Sequence, residues 1–271
     1  MSGQSVWKRI GRAVGDFLAP RHCPFCGAAP DGGELLCARC AAALPFTEGR
    51  AVRTGPFGRC AAPLWYEGSV RNAILAFKFK GKMGGLDCFG QMMARCAAEE
   101  FGGEFDAVTW VPVSPKRLRK RRFDQSRLLA ASLCVDWHTA PVSTLRKIVD
   151  NPPQSGIAEA AARRANVLGA YEPVDRAVIA GKRWLLVDDI VTSGATLSEC
   201  VRVLREAGAA DVVCLTLADV GDRGKKQRPI CKHTVTNGKN RENSIAKWKN
   251  GQYNVYPESC GLWGPSIHKT K

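Results

Sequence analysis

Apolar positions recur along this chain in two rhythms. Short apolar or alternating runs at Pro63–Glu67, Phe105–Val113, Arg183–Val187 and Val212–Ala218 read as strands. Between them, helical spacing covers Val70–Phe79, Cys88–Phe101, Asp124–Leu133, Ala158–Leu168 and Leu197–Ala207. Ser69 is placed to cap the first of these helices and Gly81 to close it. Strands alternating with helices predict an α/β domain built on a mostly parallel sheet with right-handed crossovers. Residues 141–156, with Pro141, Pro152, Pro153 and Gly156, read as loop.

Outside that core the rhythm changes. Val6, Trp7, Ile10, Val14, Phe17 and Leu18 share one helical face, and Pro20 stops the helix. Such a helix docks on the protein itself or lies on a membrane surface. Residues 21–60 are short elements punctuated by Gly and Pro, and residues 222–271 hold no sustained period. The chain therefore divides into an amphipathic helix (1–19), a cysteine-bearing module (20–60), the α/β domain (61–221) and a tail expected to be disordered (222–271).

Of 271 residues, 45% are hydrophobic and 24% charged, which excludes a wholly disordered chain, collagen and a pure coiled coil. No stretch approaches the ~18 apolar residues of a membrane span. Lys8, Arg9, Arg12 and Asp16 break the apolar block a secretory signal needs, so the expected location is cytoplasmic. The net charge of +15 is uneven: residues 1–221 carry +7 and residues 222–271 carry +8. The tail also has a single alanine, Ala246, against 33 in the body, which suggests a separate origin. Global charge is thus poor support for nucleic-acid binding by the folded part.

Cys23-x2-Cys26 and Cys37-x2-Cys40 lie ten residues apart, while the other eight cysteines are scattered. Two such pairs suit a tetrahedral zinc ion held by four thiolates, a closed structural site with no open position for catalysis. The segment between them is short and Gly-rich, as a ribbon hairpin requires. A redox pair is the rival reading for one CxxC, less so for two this close. His22 is read as a bystander.

The strongest chemical signal is Leu185 to Leu197 (LLVDDIVTSGATL), where an apolar strand meets two acids and a loop of small residues opens a helix. Backbone N–H groups and the helix dipole there favour an anion, and small side chains let a phosphate approach the backbone. Adjacent carboxylates suit vicinal ribose hydroxyls, directly or through Mg2+. Ligands of open α/β sheets sit at this edge.

This segment resembles the 5-phosphoribosyl 1-pyrophosphate (PRPP) motif of type I phosphoribosyltransferases. By that resemblance Asp188 and Asp189 hold the ribose hydroxyls, while Thr192, Ser193, Gly194, Ala195 and Thr196 wrap the 5-phosphate. Trp110 to Gln125 (WVPVSPKRLRKRRFDQ) is similar to the strand and pyrophosphate loop of the ComF family, which implies pyrophosphate contacts from Ser114, Lys116, Arg117 and Arg121. Phe77–Gly81, Arg146–Lys147, Asn151–Gly156, Arg163–Val167 and the CxxC pairs fit the same family across about residues 15–220. The fold implied is a type I phosphoribosyltransferase-like parallel sheet with an N-terminal four-cysteine zinc ribbon. Arg122 stands where the family usually has glycine, and Asp124 where it usually has asparagine. A second cysteine set seen in many members is missing, which leaves Cys60 without one and predicts one ribbon.

Two function classes follow. One is an Mg2+-dependent transfer of the phosphoribosyl group from PRPP to an acceptor the sequence does not name. The other is a non-catalytic PRPP sensor or scaffold. The ComF resemblance implies natural competence and DNA uptake, with single-stranded DNA, a helicase or other DNA-processing proteins as partners and the ribbon as docking surface. The run Lys116–Arg122 holds six cations in seven residues. It is read as a solvated loop, a pyrophosphate clamp or a nucleic-acid contact. Trp248, Tyr253, Tyr256 and Trp263 among the tail's lysines are a stacking platform of weaker specificity.

Overall fold

The structure, a computed structural model, describes residues 22–32, 34–47, 52–150 and 167–221. The expected N-terminal helix, the loop after Asp150, most of the helix at Ala158–Leu168 and the tail lie outside the described residues.

A short helix, α1 (Ala38–Ala43), precedes a hairpin of β1 (Arg53–Gly55) and β2 (Gly58–Ala61), then β3 (Leu64–Trp65). Helices α2 (Gly68–Lys80) and α3 (Leu86–Phe101) lead to β4 (Ala107–Trp110). Then come α4 (Pro115–Arg121), α5 (Gln125–Asp136), β5 (Leu145–Lys147), β6 (Tyr171–Pro173) and α6 (Arg176–Ile179). The domain ends with β7 (Arg183–Val191), α7 (Ala195–Glu206) and β8 (Asp211–Asp219).

The main sheet runs β1-β2-β8-β7-β4, with β3 also on β8. Every pairing in it is parallel except β1 with β2. β7 and β8 form its centre, which explains why Trp184–Val187 and Val212–Leu215 are apolar without a break: both faces are covered. Trp184, Leu186, Val212 and Cys214 pack with Leu197, Cys200, Val201 and Leu204 of α7. Alternate residues point the other way, and there α3 and α5 pack against the sheet and against each other. Gly90 of α3 abuts Ser132 of α5 so closely that a Cβ would collide with it.

Several local expectations shift. α2 begins at Gly68 with Glu67 as its cap position, so Ser69 lies inside the helix, whereas Gly81 does close it at φ 62°. β7 continues through Val191, placing both acids within the strand. The basic run is a helix: Ser114 caps α4 by accepting from the Arg117 N–H, Pro115 occupies the first turn, and the late cations suit the helix C-terminus. Residues 145–147 pair with β6. Residues 53–60, grouped by composition with the cysteine module, join the main sheet through β2.

Candidate functional site

Because β4, β7 and β8 are parallel, their C-terminal ends share one edge of the sheet. Near the end of β7 lie Asp188 and Asp189. The Ser126 hydroxyl from α5 donates to Asp188 Oδ1 at 2.8 Å, as does the Asp189 N–H at 2.8 Å. Lys78 Nζ from the last turn of α2 meets Asp189 Oδ2 at 2.8 Å. Burial, and then the neighbouring charge of Asp189, push the Asp188 carboxyl up to about 7, against the pull of Ser126 and Lys78. A carboxyl poised there sits at the middle of the physiological proton range.

The loop Thr192–Gly194 carries the chain from β7 to α7. Gly194 takes φ 75°, a left-handed turn open to glycine, and its carbonyl accepts from the Ser198 N–H and hydroxyl at 2.8 and 2.9 Å. Ala195 is buried and Thr192 exposed. The Ser193 hydroxyl is buried with no hydrogen-bond partner among the described residues. An orphaned buried hydroxyl at a helix N-terminus is a vacant valence for an anion's oxygen.

Across the edge, past the end of β4, Ser114 donates to Asp150. Lys116 Nζ lies 3.7 Å and Arg117 Nε 4.0 Å from the same carboxylate. Three of the four pyrophosphate-side candidates therefore converge on Asp150. Ser114 and then the two cations hold the Asp150 carboxyl below its usual range. The fourth, Arg121, turns toward the acids instead. Its guanidinium lies 4.9 Å over the Phe79 ring and donates to Gln125 Oε1 at 3.1 Å. Burial lowers its pKa, and the charge of Asp189 opposes that.

Asp124, a departure from the family pattern, proves to be a backbone bracket. Oδ1 accepts from the Arg127 N–H, capping α5, and Oδ2 accepts from the Val113 N–H at 3.1 Å. Its charge is spent on amides and not aimed at a ligand. Arg122, the other departure, sits at φ 67° at the end of α4, the conformation glycine would adopt freely.

Sequence reading missed Lys78, Ser126 and Asp150 as site residues. Lys78 lay in the basic turn Phe77–Gly81 and Ser126 immediately beyond the segment Trp110–Gln125, but only the fold shows which carboxylate each one meets. Arg53 and Asp219, which flank the loop, gave no signal: one sits in a three-residue strand, the other at the end of an apolar one.

In the N-terminal module the metal-ligand atoms of Cys23, Cys26, Cys37 and Cys40 lie within 4.8 Å of one another, with Cys26 Sγ 3.5 Å from Cys37 Sγ. A tetrahedron with zinc–sulfur arms of about 2.3 Å has edges near 3.8 Å, so the four sulfurs fit a structural zinc. A hydrogen bond from the Ala28 backbone, then Cys37, pulls the Cys26 thiol down to about 6. The expected hairpin between the pairs is replaced by turns and bends, and the second pair opens α1. Cys60 is buried in β2, where desolvation raises its pKa. Among the described residues no other cluster of three or more His, Cys, Asp or Glu side chains is spaced to hold a metal, and no helix is long and apolar enough to cross a membrane.

Comparison with known proteins agrees with this architecture. The phosphoribosyl transferase domain model matches residues 127–256, and the double zinc ribbon domain model matches residues 14–70. The DNA utilization protein YhgH of Escherichia coli K12 is 26% identical over 210 residues, 72% of this chain and 84% of that protein. Competence protein ComFC of Streptococcus pneumoniae is 31% identical over 156 residues, 56% of this chain and 64% of that one. ComFC of Bacillus subtilis is 24% identical over 203 residues, 72% and 76% of the two chains. Among solved structures, the glutamine PRPP amidotransferase of B. subtilis aligns with 25% identity and a TM-score of 0.36. That alignment covers 52% of this chain and 30% of the amidotransferase. With a four-cysteine cluster ahead of a phosphoribosyl transferase domain, the chain is similar to the ComFC and YhgH proteins.

Proposed function

We propose that this protein binds PRPP at the C-terminal edge of β4, β7 and β8. The observation that carries the reading is the meeting, at one strand end, of half-buried Asp188 and buried Asp189 with a small-residue loop whose Ser193 hydroxyl lacks a partner among the described residues. In this reading Asp188 and Asp189 take the ribose hydroxyls. The amides and hydroxyls of Thr192–Thr196 take the 5-phosphate, and Ser114, Lys116, Arg117 and Arg121 face the pyrophosphate. Mg2+ enters as part of the substrate, bound to its pyrophosphate. If an acceptor is present, the bond from the anomeric carbon to pyrophosphate breaks as that carbon gains oxocarbenium character. Cations at the basic helix then neutralise the departing charge.

The names of the relatives point to DNA handling, and we place this chain there as a cytoplasmic protein of competence or DNA utilization. A second reading, a PRPP-responsive scaffold contacting single-stranded DNA or a DNA-processing partner, is favoured by one feature: Lys116, Arg119, Lys120 and Arg122 of the basic run are exposed. Calorimetry with PRPP and Mg2+, paired with a pyrophosphate-release assay over candidate acceptors, separates the two. Binding lost in Asp188→Asn/Asp189→Asn with turnover on one acceptor establishes the transferase. Binding without turnover establishes the sensor, and no binding by the native chain removes both.

A further inference from the structure

The hairpin β1–β2 packs against the loop: Arg53 of β1 meets its first residue and Phe57 of the turn meets its last. Arg53 Nη1 donates to the Thr192 carbonyl at 2.8 Å and to Asp219 Oδ1 at 2.9 Å. Asp219 is fully buried, and the same oxygen also accepts from the Gly221 N–H at 2.8 Å, so the guanidinium is anchored to the end of β8. At the hairpin's turn, the Phe57 ring fills the space that a Cβ on Gly194 would need. Two residues of one hairpin thus fix both ends of a three-residue loop.

The consequence lies in peptide geometry. No cis peptide is present among the described residues, and across a trans peptide the carbonyl of one residue and the N–H of the next point in opposite directions. With the Thr192 carbonyl turned toward Arg53, the Ser193 N–H is turned away from it. Ser193 is the residue whose buried hydroxyl has no partner among the described residues.

We infer that Arg53 is a positioning residue for the 5-phosphate: it holds the Thr192–Ser193 peptide in the orientation that presents the Ser193 amide and hydroxyl to the anion, while Phe57 keeps Gly194 in its turn. This rests on the PRPP reading above and adds to it a residue outside the loop that sets the loop's shape. Pyrophosphate, bound by α4, does not depend on it.

The test is calorimetry on the full chain with two probes, ribose 5-phosphate and Mg2+–pyrophosphate, against Arg53→Met and Arg53→Lys, with melting temperatures alongside. Loss of one charge-assisted hydrogen bond weakens ribose 5-phosphate in Arg53→Met by about 10-fold or more. Pyrophosphate affinity stays within about twofold, and Arg53→Lys recovers part of the loss. Unchanged ribose 5-phosphate affinity in Arg53→Met overturns the inference, as does equal weakening of both probes in the two variants. A native chain that binds pyrophosphate normally but not ribose 5-phosphate overturns the PRPP reading itself, a different failure.

Discussion

Lys78 reaches from the end of α2 to Asp189 on the sheet's central strand, 2.8 Å from nitrogen to oxygen, with both side chains mostly withdrawn from water. The pair is more than a clasp between a helix and the sheet. Asp189 stands beside Asp188, and two adjacent buried carboxylates without a counter-ion repel each other. Lys78 is thus the cation that lets the acid pair exist before a ligand arrives.

Lys78→Met removes that cation and keeps most of its volume. The Asp188 carboxyl is expected to titrate above its value of about 7, followed as the carboxyl resonance in NMR. Leaving a buried charge unpaired costs about 3 kcal/mol, so the variant's denaturant midpoint falls, and falls further above neutral pH.

Asp188 sets a pH dependence of its own. In the unfolded chain it ionises near 3.8 and in the fold at about 7. Between those values the unfolded state sheds its proton first, so this group's stabilisation is complete below about pH 4 and drains away up to about pH 7. The ceiling is about 4 kcal/mol. Asp188→Asn, neutral at all pH values, is expected to flatten urea stability across this window and to exceed the native chain at neutral pH, while losing PRPP. A steeper decline in the variant would contradict the assignment.

The centre of this fold was legible because its physics is local. The middles of β7 and β8 are buried on both faces, so Trp184–Val187 and Val212–Leu215 are apolar without interruption, and the loop to α7 is small-residued because bulk there would exclude an anion. The hairpin at Arg53–Ala61 was not legible. Its strands are three and four residues long, meet their turn at Gly55 and Gly58, and owe their place to β8, some 150 residues away in sequence. The same limit hid Lys78 and Asp150: the sequence announces a basic turn and an acid, and only the packing of α2 and the end of β4 decides what they touch. The basic run misled differently. Capped by Ser114 and Pro115, it had the local signals of a helix start, masked by its charge density.

Arg122 offers a stabilising substitution. Its φ of 67° at the C-terminus of α4 costs an L-residue roughly 1–2 kcal/mol that glycine does not bear. Its N–H already closes the helix onto the Leu118 carbonyl at 2.7 Å, a bond that glycine retains. After the greater backbone entropy of glycine in the unfolded chain is subtracted, Arg122→Gly is expected to gain about 1 kcal/mol, read as a higher melting temperature.

Zinc removal should be felt far from the ribbon. Phe25, between the two cysteines of the first knuckle, packs edge-on against Phe89 at 5.8 Å between ring centres. Phe89 packs on Phe77 at 6.1 Å, and Phe77 on Phe123 at 5.9 Å. Phe77 immediately precedes Lys78, and Phe123 immediately precedes the bracket Asp124, so the row of rings ends at the two arms of the candidate site. A four-thiolate zinc is what holds the first knuckle closed. Chelation after mild thiol oxidation is expected to release about one zinc per chain. It should also lower the melting temperature and weaken PRPP, with the loss copied by Cys26→Ser and in part by Phe25→Ala, which leaves the ligands intact. Metal analysis with calorimetry on the same samples checks this. If the zinc-free chain melts and binds as the native one does, the ribbon is an independent module and the aromatic row carries no load between them.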